Sequence, residues 1–120
     1  MARPRKWKNV CALPPINEFL TYGAPGAPVP SQIMTVEEYE VIRLIDKADM
    51  TQEECAVQMG VSRPTVQIIY NSARKKLADY LTGGGRLRIG GGDYRLCEER
   101  HAHCEPEYCR RYGCRVRSGG

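Results

Sequence analysis

The stretch VSRPTVQIIYNSARKKL, Val61 to Leu77, decides how the chain is read. Ser62 is placed to cap a helix, and Pro64 falls in the first turn, where a missing backbone N–H costs nothing. The spacing predicts a helix over 63–81. Projected at about 100° per residue, it gathers Val66, Ile69, Tyr70, Ala73 and Leu77 on one side, which is core. The opposite side carries Pro64, Gln67, Ile68, Asn71 and Lys75, with Arg74 at its edge and Arg63 and Thr65 near the N-terminal end.

Working backwards from Val61, TQEE at 51–54 places Thr51 as an N-cap with Glu54 as its reciprocal partner, opening a short helix through Met59. Gly60 ends it, because glycine tolerates the left-handed backbone of a tight helix exit. Further upstream, TVEEYEVIRLID repeats the grammar with Thr35 and Glu38. Val36, Tyr39, Ile42 and Ile45, with Val41 and Leu44 beside them, predict an amphipathic helix to about Asp46. Two helices joined by a short glycine turn form a helix-turn-helix, whose second helix enters the DNA major groove. Ala56 is small where the helices approach, and Val61, Val66 and Ile69 fix their crossing.

Outside this core the pattern changes. Leu87 and Ile89, then Tyr94 and Leu96, alternate around Gly90, Gly91, Gly92 and Asp93, which predicts a β-hairpin packed on the helices. Residues 1–34 combine a basic start with Pro14, Pro15, Pro25, Pro28 and Pro30 and read as an extended arm, in which Trp7 favours some order. Residues 98–120 are rich in Cys, His and Arg and hold too few apolar groups to build a core. The expected fold is therefore mainly α: a three-helix helix-turn-helix domain over 35–97 with a small C-terminal hairpin, flanked by the arm and the tail.

The 120 residues allow one small domain with tails. A net charge of +4 and a sequence pI of about 8.8 are only mildly basic, so distribution matters more than the sum. Arg3, Arg5, Lys6 and Lys8 crowd one end, Arg74, Lys75 and Lys76 sit together, and Arg110, Arg111, Arg115 and Arg117 mark the other end. Three such clusters favour a polyanion. No stretch approaches the ~20 apolar residues of a membrane span, and the start lacks the apolar region of a secretory signal, so a cytoplasmic protein is expected.

The outer face of the third helix has the chemistry of a DNA reader. Asn and Gln bond adenine, Arg bonds guanine, an apolar group touches the thymine methyl, and Lys, Ser and Thr take phosphates. The candidate contacts are Ser62, Arg63, Thr65, Gln67, Ile68, Asn71, Arg74 and Lys75, with Arg3, Arg5 and Lys6 from the arm. A merely solvated outer face is the competing reading. It leaves an exposed isoleucine among the amides unexplained.

Six cysteines in a reducing compartment point to thiols or metal ligands rather than disulfides. Cys97, Cys104, Cys109 and Cys114 with His101 and His103 are candidate ligands, joined by Cys11 if the arm folds back. Zinc suits such donors, with an iron–sulfur cluster as the alternative. The six residues between Cys97 and Cys104 exceed the usual gap within a structural zinc pair, so free thiols stay open beside metal, and disulfides behind both. Cys55, in mid-helix, reads as a small buried hydrophobe.

RPRKWK with Cys11 soon after, MTVEEYEVIRLID, TQEECAVQMGVSRPTVQIIYNSARKKLADYL and GGDYRLC together resemble domain-of-unknown-function family 134, over roughly Ala2 to Cys97. That resemblance implies short prokaryotic proteins expected to bind DNA through a helix-turn-helix similar to sigma-factor region four. Pro64 and Ile68 depart from the polar or basic residues expected in such a helix, which implies an altered preferred site or fewer phosphate contacts. The tail lies outside the resemblance.

The leading expectation is a sequence-specific regulator binding double-stranded DNA, as a homodimer or with a partner protein, since one helix-turn-helix reads few base pairs. The alternative is a protein-interaction module with a metal- or redox-sensing tail. No glycine-rich phosphate loop or paired carboxylates argue for an enzyme or a small-molecule substrate.

Overall fold

A computed structural model describes residues 7–21 and 31–96. The elements run β1 (Lys8–Val10), β2 (Glu18–Leu20), β3 (Ser31–Met34), α1 (Val36–Ile42), α2 (Gln52–Met59), α3 (Arg63–Gly83), β4 (Arg86–Ile89) and β5 (Tyr94–Leu96). The described chain is mainly α, with short strands around three helices. Among the described residues no helix is long and apolar enough to cross a membrane.

Each helix starts where its capping residue is. The Glu38 N–H donates to Thr35 Oγ1 at 3.2 Å while the Thr35 N–H donates to Glu38 Oε1 at 2.8 Å. Thr51 and Glu54 repeat the exchange at 3.0 and 2.9 Å. Ser62 Oγ accepts from the Thr65 N–H at 3.3 Å at the head of α3. Each box satisfies donors that a helix start leaves orphaned. α1 differs from expectation at its far end: beyond Ile42 the backbone widens into a π turn over Arg43–Lys47, closed by the Ala48 N–H donating to Arg43 O at 3.0 Å.

Two apolar clusters hold the helices. Val41, Leu44, Met50, Cys55, Ala56, Met59 and Val66 are buried together, with Ile45, Val61, Ile69 and Tyr70 packed against them. This cluster fixes α2 and α3 around the Gly60 turn, each large side chain contributing roughly 1.5–3 kcal/mol. Met34, Ala73 and Leu87 form a second cluster between the helices and the strands, flanked by Tyr39, Ile42, Leu77, Tyr80 and Ile89.

The strands depart from the expected hairpin. β4 and β5 do not pair with each other. β4 is central in a three-stranded sheet, with β2 antiparallel on one side and β3 parallel on the other, so that Phe19 and Gln32 both flank Leu87. β5 instead pairs in parallel with β1, aligning Lys8 with Tyr94 and Val10 with Leu96. Both edges of β4 are thus taken by β2 and β3, leaving no edge for β5. The glycine run between β4 and β5 is stitched to the start of α1: the Val36 N–H donates to Gly91 O at 3.0 Å and the Gly90 N–H to Met34 O at 2.9 Å. Gly92 serves that packing rather than a tight turn, because a Cβ there would meet Glu37 Oε1 and approach Thr35 Cβ to 3.1 Å.

The arm reading is corrected at the same time. The described part of residues 1–34 supplies β1, β2 and β3, and Pro14 and Pro15 fall between strands, where the missing N–H breaks no ladder.

Two glycine substitutions rank the constraints. At Gly60, φ is 71° and a Cβ would come within 2.7 Å of Nδ2 of Asn9, a buried side chain whose Oδ1 accepts from Arg95. Gly60→Ala is expected to cost about 1 kcal/mol, mainly from the left-handed backbone. Gly92→Ala must also displace the held Glu37 carboxylate, at a cost of about 2–4 kcal/mol. Urea-denaturation midpoints check the order; equal losses would contradict the packing described here.

Candidate nucleic-acid interface

α3 presents a polar strip outward because its other faces are occupied. Val66 and Ala73 are fully buried, and Ile69, Tyr70, Leu77 and Tyr80 are half-buried against the clusters. Gln67, Ile68, Asn71, Arg74 and Lys75 are exposed, with Pro64 and Arg63 beside them. Ile68 is 70% exposed, which sets it apart from the apolar residues of the same helix that face the core.

Three polar ties fix the strip in rotation. Glu38 of α1 receives hydrogen bonds from Ser72 Oγ and, at 2.7 Å, from Lys76 Nζ. Tyr70 Oη donates to Asp46 Oδ1 at 2.8 Å, a bond that with partial burial and the Asp46 charge raises the phenol pKa above its ordinary value. The Arg74 guanidinium lies 5.1 Å from the Tyr70 ring centroid, in cation–π range. Burial pushes the Glu38 carboxyl up, but the bonds from Lys76, Ser72 and the Thr35 backbone, together with the Lys76 charge, outweigh it and hold its pKa below the ordinary 4.5.

The basic run Arg74, Lys75 and Lys76 is therefore not three equivalent cations. Lys76 is a strut into Glu38. Lys75 faces solvent and pairs with Asp79 at 3.1 Å, an exposed i,i+4 pair of little strength that a phosphate can replace. Arg74 keeps its guanidinium donors at the rim of the strip.

The remaining sequence candidates divide clearly. Ser62 and Thr65 share a 2.9 Å hydroxyl contact and the capping bond, so both stand at the strip's N-terminal edge already engaged. Arg3, Arg5 and Lys6 lie outside the described residues, as do Cys97, Cys104, Cys109, Cys114, His101 and His103. Cys11 is buried directly after β1, so the N-terminal segment does run back beside β5. Its backbone N–H donates to Glu40 Oε2 at 3.1 Å, and its Sγ accepts from Gln58 Nε2 at 3.5 Å. Among the described residues no group of three or more His, Cys, Asp or Glu is placed to hold a metal ion. Cys55 is fully buried, and burial with the nearby Glu40 charge, against the opposing Arg43 charge, pushes its thiol up to about 12.

Sequence reasoning passed over Asp46, Asp79 and the exposed cations Arg86, Arg88 and Arg95. The Lys75–Asp79 pair was readable from its i,i+4 spacing. The strand cations were not, since their faces follow from pairings between distant segments.

The family model described as protein of unknown function DUF134 matches residues 1–97. The chain belongs to the DUF134 family. A UPF0251 protein of Desulfitobacterium hafniense (strain Y51) is 53% identical over 98 residues, covering 82% of this chain and 78% of the relative. A UPF0251 protein of Thermoanaerobacter sp. (strain X514) is 48% identical over 99 residues, with 82% and 88% coverage. A UPF0251 protein of Clostridium tetani (strain Massachusetts / E88) is 44% identical over 110 residues, with 90% and 75% coverage. No solved structure matches the chain. The DUF134 match spans every element that positions α3 and stops before the tail.

The depressed Glu38 pKa gives a signed prediction. Ionised Glu38 stabilises the fold fully above its ordinary 4.5, and that contribution is lost as pH falls through the lower folded value. Glu38→Gln should lose about 1–3 kcal/mol at neutral pH and show a shallower acid loss than wild type, read from urea midpoints between pH 7 and pH 3. Parallel acid profiles would remove Glu38 from the account.

Proposed function

We propose that this DUF134 protein binds double-stranded DNA with sequence preference and regulates transcription in the cytoplasm, laying α3 in the major groove. The observation that carries the reading is the outward strip of α3. Gln67 and Asn71 are exposed and make no side-chain hydrogen bond among the described residues, and Ile68 stands beside Asn71 on a helix that follows a capped helix and a left-handed glycine turn. Amide groups need partners to form specific contacts, and the edges of bases in the major groove offer donor and acceptor pairs at that scale. Arg63, Arg74 and Lys75 surround the strip where phosphates would flank the groove. Because one unit covers few base pairs, two copies on a two-fold site are the expected binding form.

Duplex affinity should fall steeply with salt, the slope of log K against log salt dropping by roughly 0.9 for each phosphate-contacting cation removed. Arg74→Ala and Lys75→Ala are each expected to weaken binding and flatten that slope with the circular dichroism unchanged. An intact fold that binds no duplex would reject this reading in favour of a protein-interaction module.

A further inference from the structure

The outward strip carries more than a capacity for DNA; its donor and acceptor set also selects a base pair. Projected along α3 at about 100° per residue, Gln67, Asn71, Pro64 and Ile68 fall within one arc of roughly 100°, with Ile68 about 160° from the buried Val66. Gln67 and Asn71 are one helical turn apart, a rise of about 6 Å, and Ile68 lies roughly 60° further round the helix, beside Asn71. A primary amide offers one acceptor and one donor. That pair matches adenine, which presents the N6 donor beside the N7 acceptor, and mismatches guanine, whose N7 and O6 both accept. The group suited to guanine is a guanidinium, and the nearby Arg74 sits at the rim, stacked over Tyr70.

Ile68 completes the set. It is 70% exposed, on an arc it shares with the exposed Pro64, Gln67 and Asn71. In a major groove the apolar group presented beside adenine's donor and acceptor is the C5-methyl of the paired thymine. An amide and an aliphatic side chain on one turn are therefore complementary to the two halves of one A·T step.

Resting on the major-groove reading above, we propose that the ligand is duplex DNA carrying an A·T step, with adenine taken by Asn71 or Gln67 and the thymine methyl packed against Ile68. Ile68 then determines specificity through a single methyl group, and a uracil in that place is discriminated against.

The experiment uses the full chain and duplexes enriched from a random pool. Each thymine of the enriched site is replaced in turn by deoxyuridine, which keeps base pairing and removes the methyl, and each adenine by 7-deazaadenine, which removes N7. At one thymine the wild type should lose about fourfold in affinity, the value of one buried methyl. Ile68→Ala should bind more weakly yet no longer distinguish thymine from deoxyuridine there, while keeping the wild-type salt slope. Asn71→Ala or Gln67→Ala should lose sensitivity to 7-deazaadenine. If wild type binds duplexes with a steep salt slope but no thymine-to-deoxyuridine change matters, or if Ile68→Ala discriminates as wild type does, this inference fails and general DNA binding stands. If wild type binds no duplex at any salt, both fail together.

Discussion

The fold turns on three carboxylates of α1 that leave solvent in three directions. Glu37, Glu38 and Glu40 are all buried, with Glu40 fully so. Glu37 accepts from the Asp93 N–H at 3.2 Å and pairs with Lys8 at 3.4 Å, holding β1 and the loop before β5. Glu38 reaches α3 through Ser72 and Lys76. Glu40 receives the Arg43 guanidinium at 2.9 and 3.0 Å and the Cys11 N–H at 3.1 Å. A buried charge is tolerated only when it is paired and hydrogen-bonded; Glu38 and Glu40 are so through both oxygens, and Glu37 through Oε2, its Oε1 having no hydrogen-bond partner among the described residues. Deleting one partner would strand the other at a cost of several kcal/mol, so α1 acts as the strut from which the other elements are hung.

That strut explains why the basic cluster of α3 divides in function. Close packing of Val66 and Ala73 sets which face of α3 is buried, and directed bonds narrow the remaining freedom. Lys76 and Ser72 on Glu38, with Tyr70 on Asp46, fix the rotation by directed bonds on both flanks of the buried face. The strip through Gln67, Ile68 and Asn71 thus has a set orientation before any ligand arrives, and less ordering entropy remains to be lost on binding.

Much of this was legible in the sequence because the relevant signals are local. Thr35 with Glu38, Thr51 with Glu54, Ser62 with Pro64, and Gly60 at the exit of α2 each act within four residues. The starts of all three helices follow from them, as does the outward side of α3. The strands failed for the converse reason. Leu87 alternates with Ile89, and Tyr94 with Leu96, but alternation states only that a strand has two faces; it does not name the neighbour. The neighbours are β1, β2 and β3, more than fifty residues away, and two of the three pairings are parallel, which no short turn announces. The burial of Glu37 and Glu40 has no local signal for a related reason, since Lys8, Cys11 and Asp93 reach them from distant segments.

The same long-range pairing governs how the three helices come to be held rigidly. Their first cluster, around Leu44, Met59 and Val66, is built within 41–66 and can assemble early from nearby chain. Their second, Met34 with Ala73 and Leu87, requires β3 to lie beside β4, so it closes a loop of about fifty residues before it gives any return. Val10 and Cys11 become buried only when β1 lies against α1 and α2, and Glu40 gains its Cys11 partner in the same event. The helices therefore acquire their final register from strands at both ends of the chain. A segment limited to α1, α2 and α3 would keep the caps, the first cluster and the Arg43–Glu40 pair, but Glu37 would lose Lys8 and the Asp93 N–H, and Glu40 the Cys11 N–H. The orientation of the α3 strip is in this sense a property of the whole described chain, fixed through α1, rather than of the three helices alone.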